Sequence, residues 1–216
     1  MLRKEIALAL LGAIVLAAAA DRAGAAALGA YVDYASGTGT YQWDSDKYDF
    51  DADSSSGAIG FAVNNAPTAP ANFNYRLNIG IESLNLKDNY DSSLKMGGIA
   101  VENVFGLALV RERDFRWWAG PLLRIGFYSG ETDDYRGRYG DRYKTEADLV
   151  EFASGFATGI NLRIGRNAYL APSAGIRYAK ISGTGTIKNL DYHTQYKDDF
   201  SGHSTNFYLN CSLFYD

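Results

Sequence analysis

Between residues 72 and 82 the chain alternates without interruption. Phe73, Tyr75, Leu77, Ile79 and Ile81 hold one parity, and Asn74, Arg76, Asn78, Gly80 and Glu82 hold the other. Successive side chains of an extended backbone point to opposite sides, so the segment reads as a strand with one apolar and one polar face. The chain ends on the same pattern: Thr205, Phe207, Leu209, Cys211, Leu213 and Tyr215 against Ser204, Asn206, Tyr208, Asn210 and Ser212. Six further segments alternate, at 28–35, 57–64, 96–110, 115–128, 150–164 and 169–180, which makes eight strands.

The polar faces decide what kind of sheet this is. They carry Gly, Ala, Ser, Asn and a few charges, where a soluble sandwich presents solvated Lys, Glu and Thr. Small residues with sparse Arg and Glu suit the interior of a narrow barrel, whose side chains share limited volume. Bulky apolar residues on the opposite face suit a wall against lipid. The connections alternate as well, with long ones at 36–56, 84–94, 129–147 and 181–203 and short ones at 65–71, 111–114 and 165–167. Short turns at one end and long loops at the other are a feature of outer-membrane barrels, and an even strand number puts both termini at the short-turn end. The expected fold is all-β, an eight-stranded antiparallel up-and-down transmembrane β-barrel.

Residues 1–27 read as a separate unit. Arg3 and Lys4 precede a 15-residue apolar run from Ile6 to Ala20, and Ala23, Gly24 and Ala25 form a small-residue cleavage pattern. That is the form of a secretory signal peptide. The run is short for an anchor that must cross roughly 30 Å of hydrocarbon. The division expected is a signal peptide at 1–27 and a barrel at 28–216. Composition removes other classes. A single Cys excludes an intrachain disulfide framework, and with only 2 His it leaves no Cys/His zinc site. Lys and Arg number 21 against 25 Asp and Glu, the wrong balance for a nucleic-acid binder. The 16 Tyr, 11 Phe and 3 Trp are too many for a disordered chain.

With its leader-like start, eight alternating segments, uneven connections and apolar final strand, the chain resembles the small eight-stranded bacterial outer-membrane proteins. These are the OmpX/Ail group, OmpW and the membrane domain of OmpA. The resemblance covers residues 28–215 and marks a class rather than one family. It implies location in the bacterial outer membrane, contact with outer-membrane lipids and lipopolysaccharide, and handling by the barrel-assembly machinery. That machinery reads a last strand of alternating apolar residues ending on an aromatic. Phe207, Leu209, Leu213 and Tyr215 stand in that spacing, and Asp216 follows as one residue more than the pattern has.

The candidate site is the set of inward charges Arg76, Glu82, Glu102, Arg124 and Arg177. An unpaired charge in so confined an interior costs several kcal/mol, so a lumen ion-pair network is expected. Such a network is either a charged core filling an interior with no room for a channel, or a gate that switches partners, as resemblance to the OmpA membrane domain implies. The filled core is the reading adopted. Asp44, Asp46, Asp49, Asp51 and Asp53 suggest calcium. Counted from Asp49, however, the EF-hand glycine and glutamate positions hold Ser54 and Gly60, so a solvated acidic loop is expected. Tyr135, Tyr139 and Tyr143, interleaved with Arg136, Arg138, Arg142 and Lys144, make a third loop that either contacts lipopolysaccharide phosphates or a surface partner or serves only as a solubilising loop. Some barrels of this size resemble lipid-A-modifying enzymes that use His, Ser and a carboxylate. His203 and Ser204, beside Asp198 and Asp199, are adjacent in sequence and therefore point to opposite strand faces. Trp117, Trp118, Tyr169, Tyr75 and Tyr215 near one rim, and Tyr34, Phe127, Tyr128, Phe152 and Tyr178 near the other, are expected to form two aromatic girdles. Pro121 and Pro172 inside strands predict bulges or local breaks.

The functional expectation is a non-enzymatic, monomeric outer-membrane barrel without cofactor or metal and without a nucleic-acid partner. It acts in envelope integrity or surface contact through its outer loops. A narrow channel for small or apolar solutes is the alternative, and a lipid-A-modifying enzyme comes third.

Overall fold

The structure, a computed structural model, describes residues 26–44, 49–65, 72–88, 93–132, 135–136 and 141–215. The expected signal peptide lies outside the described residues except for its last two positions. The strands are β1 (Ala27–Trp43), β2 (Phe50–Asn64), β3 (Phe73–Asp88), β4 (Ser93–Arg111), β5 (Phe115–Thr132), β6 (Tyr135–Arg136), β7 (Arg142–Arg163), β8 (Ala168–Asn189) and β9 (Thr194–Tyr215). Eight of them are long, and each pairs antiparallel with its neighbours in the chain. β1 also pairs with β9, and β5 with β7, so the sheet closes on itself. The two-residue β6 extends the edge of β7. Leu28 faces Tyr215 across the closing seam, which places the start of β1 and the end of β9 at the same rim.

Alternation along each strand sets inside from outside. On β3 the inward side chains Asn74, Arg76, Asn78 and Glu82 are buried, while Phe73 and Ile81 on the other parity are exposed. Leu28, Val32, Ile59, Phe61, Phe156, Phe207 and Leu209 are likewise exposed on the outer wall. Leu77 is buried but still belongs to that wall, where Val63, Tyr75, Ile79, Val101 and Ile125 crowd over it. A soluble chain hides such residues; a wall in lipid presents them. Small inward residues make room for large ones. A Cβ on Gly80 would stand 2.4 Å from the Tyr31 hydroxyl, whose ring crosses the lumen there.

The strands are longer than the alternation of the sequence suggests. The segments expected as long loops are mostly ladder: Ser36 pairs with Ser55 and Tyr41 with Phe50, Leu86 with Leu94, Glu131 with Glu146, and Ile187 with Tyr196. The physical reason is a reversal of polarity along each strand. On β3 the outward row turns from Ile81 to Ser83, Asn85 and Lys87, while the inward row turns from Glu82 to Leu84 and Leu86. On β7 the outward Glu146 and Asp148 give way to Val150 and Phe152, as the inward Leu149 gives way to Glu151. On one side of the reversal the barrel is built for hydrocarbon. On the other it is a water-facing barrel with an apolar core of Tyr41, Leu84, Met96, Leu149, Ile181 and Phe200.

The aromatic girdles form only in part, and the prolines make the local breaks expected of them. Trp118, Tyr128 and Tyr169 point inward and are buried, so they fill the lumen rather than the girdles. Trp117, Tyr215, Tyr34, Phe152 and Tyr178 do lie exposed on the outer wall. The two prolines break one ladder each. Pairing of β5 with β4 lapses between Leu122 and Ala119, around Pro121, and pairing of β8 with β7 lapses between Ser173 and Leu170, around Pro172. Both prolines keep register with the strand on their other side. A proline lacks only its own N–H, so one neighbour loses a bond and the other loses none.

The reversal can be tested by placing one charge at two heights. Phe156→Arg, in the middle of the apolar part of β7, is expected to cost about 2–4 kcal/mol. Asp148→Arg, outward on the same strand above the reversal, should stay within about 0.5 kcal/mol of the parent. Urea midpoints in lipid vesicles give both values.

Candidate functional site in the barrel interior

The interior is stacked in levels. Nearest the rim where β1 begins and β9 ends, Phe214, Tyr169, Ala27, Ala62 and Ala171 pack together. Above them Arg76 lies between two rings, its guanidinium carbon 5.1 Å from the centre of Trp118 and 5.3 Å from that of Phe214. It donates to Ser173 Oγ at 3.3 Å and to Asn161 Oδ1 at 3.2 Å, and the Trp118 indole N–H donates to the same Asn161 oxygen. Among the described residues no carboxylate pairs with Arg76. Ring faces and neutral oxygens hold this cation, a cheaper arrangement than burying it bare.

The next level holds the acids. Arg177 on β8 forks onto Asp33 of β1, Nη1 to Oδ1 at 2.8 Å and Nη2 to Oδ2 at 2.9 Å. Its Nη2 also lies 2.6 Å from Glu102 Oε2 of β4, across the lumen. The guanidinium sits over the Tyr208 ring at 3.8 Å. Arg124 on β5 forms a second centre with Glu82 and with Glu151, the latter at 2.9 Å, and donates to the Tyr128 hydroxyl at 3.0 Å. Four carboxylates thus meet two guanidiniums. Amide donors answer part of the surplus: Asn78 to Glu102 at 3.2 Å and Asn210 to Asp33 at 3.3 Å. Charge-assisted bonds in a fixed fork are the strong kind, and a water-poor interior makes them stronger.

Of the five expected charges, the structure joins Glu82 to Arg124 and Glu102 to Arg177, and sets Arg76 apart. Asp33 and Glu151 complete the two centres and were not singled out from the sequence. The signal for both was present, since each stands on the inward parity of its strand.

Above the ion pairs is a cavity of about 20 Å³ lined by Ser54, Glu82, Arg124, Glu151, Arg177 and Asn206, room for about one water. The apolar core of the water-facing half closes over it, with Phe200 stacked on Tyr41 at 5.7 Å and tilted against Trp43 at 4.8 Å. A hydrated passage would leave inward side chains wet. Instead Phe214 and Trp118 are 0% exposed, Arg124 4% and Leu149 0%, so each level is filled.

The outer wall carries the remaining candidates. Phe207, Leu209, Leu213 and Tyr215 project outward from β9 and are exposed. His203 is exposed whereas Ser204 is buried, on opposite faces of β9. His193 closes the β8–β9 hairpin with a positive φ of 54°. Asp51 accepts a bond from Thr40 Oγ1 at 3.1 Å within the β1–β2 ladder, whereas Asp46 lies outside the described residues. Of the third-loop residues, Arg142 pairs with Asp191 at 3.2 Å and Lys144 with Glu131 at 2.8 Å. The side chains of Tyr135, Arg136, Arg138 and Tyr139 lie outside the described residues. Asn103 interrupts the apolar row of β4, and the Tyr75 hydroxyl donates to its Oδ1 at 2.7 Å.

No protein-family model matches the chain, and no curated protein matches it. Solved structures do resemble it. The outer membrane protein OprG from Pseudomonas aeruginosa is 10% identical, with a TM-score of 0.49 over 89% of this chain and 97% of that one. The translocator domain of the autotransporter NalP from Neisseria meningitidis is 12% identical, with a TM-score of 0.40 over 99% and 97%. The outer membrane protease OmpT from Escherichia coli is 8% identical, with a TM-score of 0.33 over 88% and 96%. These likenesses concern the path of the backbone alone. By its own ring of strands, apolar wall and polar centre, the chain is an eight-stranded antiparallel β-barrel of the outer-membrane type.

Proposed function

We propose that the chain is a closed, non-enzymatic barrel of the bacterial outer membrane that supports the envelope and offers a rigid surface outside it. The filled lumen carries this reading: side chains are packed at every level from Phe214 through Trp118 and Arg124 to Leu149. The two ion-pair centres then act as cross-braces between strands far apart in the sequence, β1 with β4 and β8, and β3 with β5 and β7. The water-facing half supplies the surface. Its paired strands, studded with Lys144–Glu131 and Arg142–Asp191 ion pairs, form a stiff collar rather than four long loops. Phe207, Leu209, Leu213 and Tyr215 would serve the barrel-assembly machinery during insertion, and lipopolysaccharide would surround the collar.

Planar-bilayer recording tests the closed lumen. The purified barrel is expected to give no single-channel steps. Glu102→Gln combined with Arg124→Gln, which takes the cation from one centre and one of the two carboxylates from the other, should give none either while the barrel stays folded. Steps that appear or grow in that double variant would convert the braces into a gate and overturn the reading.

A further inference from the structure

The outer wall formed by β8, β9 and β1 carries two hollows in register, one above the other. The lower, of about 490 Å³, has a floor of Ala174 and Gly175 and sides of Tyr34, Ile176, Phe207 and Leu209. The upper, of about 450 Å³, is lined by Thr40, Gln42, Asp49, Lys180, Ser201 and His203 among others. Cross-strand pairs join them rung by rung: Ala174–Leu209–Tyr34, then Ile176–Phe207–Ser36, then Tyr178–Thr205–Thr38, then Lys180–His203–Thr40. The track passes from apolar to hydroxyl-bearing to a rung holding Lys180 and His203, with Asp49 in the same hollow and Asp51 bonded to Thr40 at its edge, while crossing the level where the strands reverse polarity. Tyr178 and His203 meet at the junction with ring centres 6.0 Å apart.

We propose that this track binds one phosphate-bearing lipid of the outer leaflet. An acyl chain lies in the lower hollow against Ala174, and the phosphate sits on the Lys180 ammonium and the His203 imidazole. Lys180 and His203 are direct cross-strand partners, and among the described residues neither makes an ion pair. Two basic side chains set side by side at the polar edge of a lipid-facing wall complement an anion at that height. Gln42 and Ser201 add neutral hydrogen-bonding groups, the Thr40 hydroxyl being held by Asp51, and the Asp49 carboxylate in the same hollow would accept from a hydroxyl of the headgroup. A second barrel does not satisfy this geometry, because a convex wall cannot enter a hollow floored by Ala174. A free phosphate would use only the upper half. The inference stands apart from the closed lumen, since a conducting barrel would present the same wall.

The test uses the mature barrel in detergent, titrated with bis-phosphorylated lipid A and followed by native mass spectrometry. Lys180→Gln with His203→Gln is expected to weaken binding by about fivefold or more. Ala174→Trp, which fills the lower hollow, should weaken it by about as much, and Ala174→Leu serves if the tryptophan variant does not fold. Ile81→Trp on the opposite wall should change nothing, and millimolar inorganic phosphate should not compete. Heat-modifiable gel migration confirms that each variant is folded. Equal affinity in all variants overturns the proposal. So does undiminished binding of lipid A stripped of its phosphates, or competition by inorganic phosphate together with indifference to Ala174→Trp. An equal loss in Ile81→Trp would reduce the effect to general wetting of the wall and overturn it too.

Discussion

Arg177→Met is expected to destabilise the folded barrel by about 3–5 kcal/mol, read as a lowered urea midpoint in lipid vesicles. The guanidinium is 3% exposed, forks onto Asp33, touches Glu102 and lies over Tyr208. Methionine fills much of its volume, so the cost comes mainly from two carboxylates left facing each other without a cation. Adding Asp33→Asn and Glu102→Gln to the same chain should recover a large part of the loss, because an uncharged interior needs no counterion. A loss below about 1 kcal/mol in the single variant would place the pair among hydrated ion pairs. The lumen would then be wet, and the closed barrel would fall with it.

Phe200→Ala should cost about 3–5 kcal/mol. Phe200 is the hub of the upper core, in ring contact with Tyr41, Trp43 and Phe50. A closed ring of strands cannot collapse around the void as a pair of helices can, so most of the lost volume persists as cavity. The same substitution seven residues along β9, Phe207→Ala, should cost about 1 kcal/mol or less. That ring faces outward, and lipid tails replace its contacts. Urea midpoints of the two variants, compared directly, report which phenylalanine belongs to a protein core and which to a membrane wall.

The barrel was legible in the sequence because its lipid-facing rows repeat every second residue. Phe73 to Ile81 and Phe207 to Tyr215 point to strands, to eight of them and to a polar interior, and the structure has that arrangement. The upper half was not legible. There the apolar residues change sides, and Leu84 and Leu86 with Ser83 and Lys87 continue the alternation in opposite phase, which reads as its end. Segments such as Ser54–Ser55–Ser56 have little apolar pattern of any kind, yet they ladder with β1 and β3. The charged interior was half visible. Parity selected the inward groups, but which carboxylate meets which arginine depends on side-chain reach across the lumen. That is why Asp33, on the first strand, proves to be the forked partner of Arg177, on the eighth element in chain order.

The switch from Ile81 to Ser83, matched by Tyr178 to Lys180 on β8 and Val150 to Asp148 on β7, gives this protein a waterline written into its covalent structure. Sliding it deeper by one rung drags lysines and aspartates into oil; lifting it strands isoleucines in water. The depth of immersion is therefore a property of the chain, and a bilayer of the wrong thickness has to thin or swell around it, at fractions of a kcal/mol for each ångström.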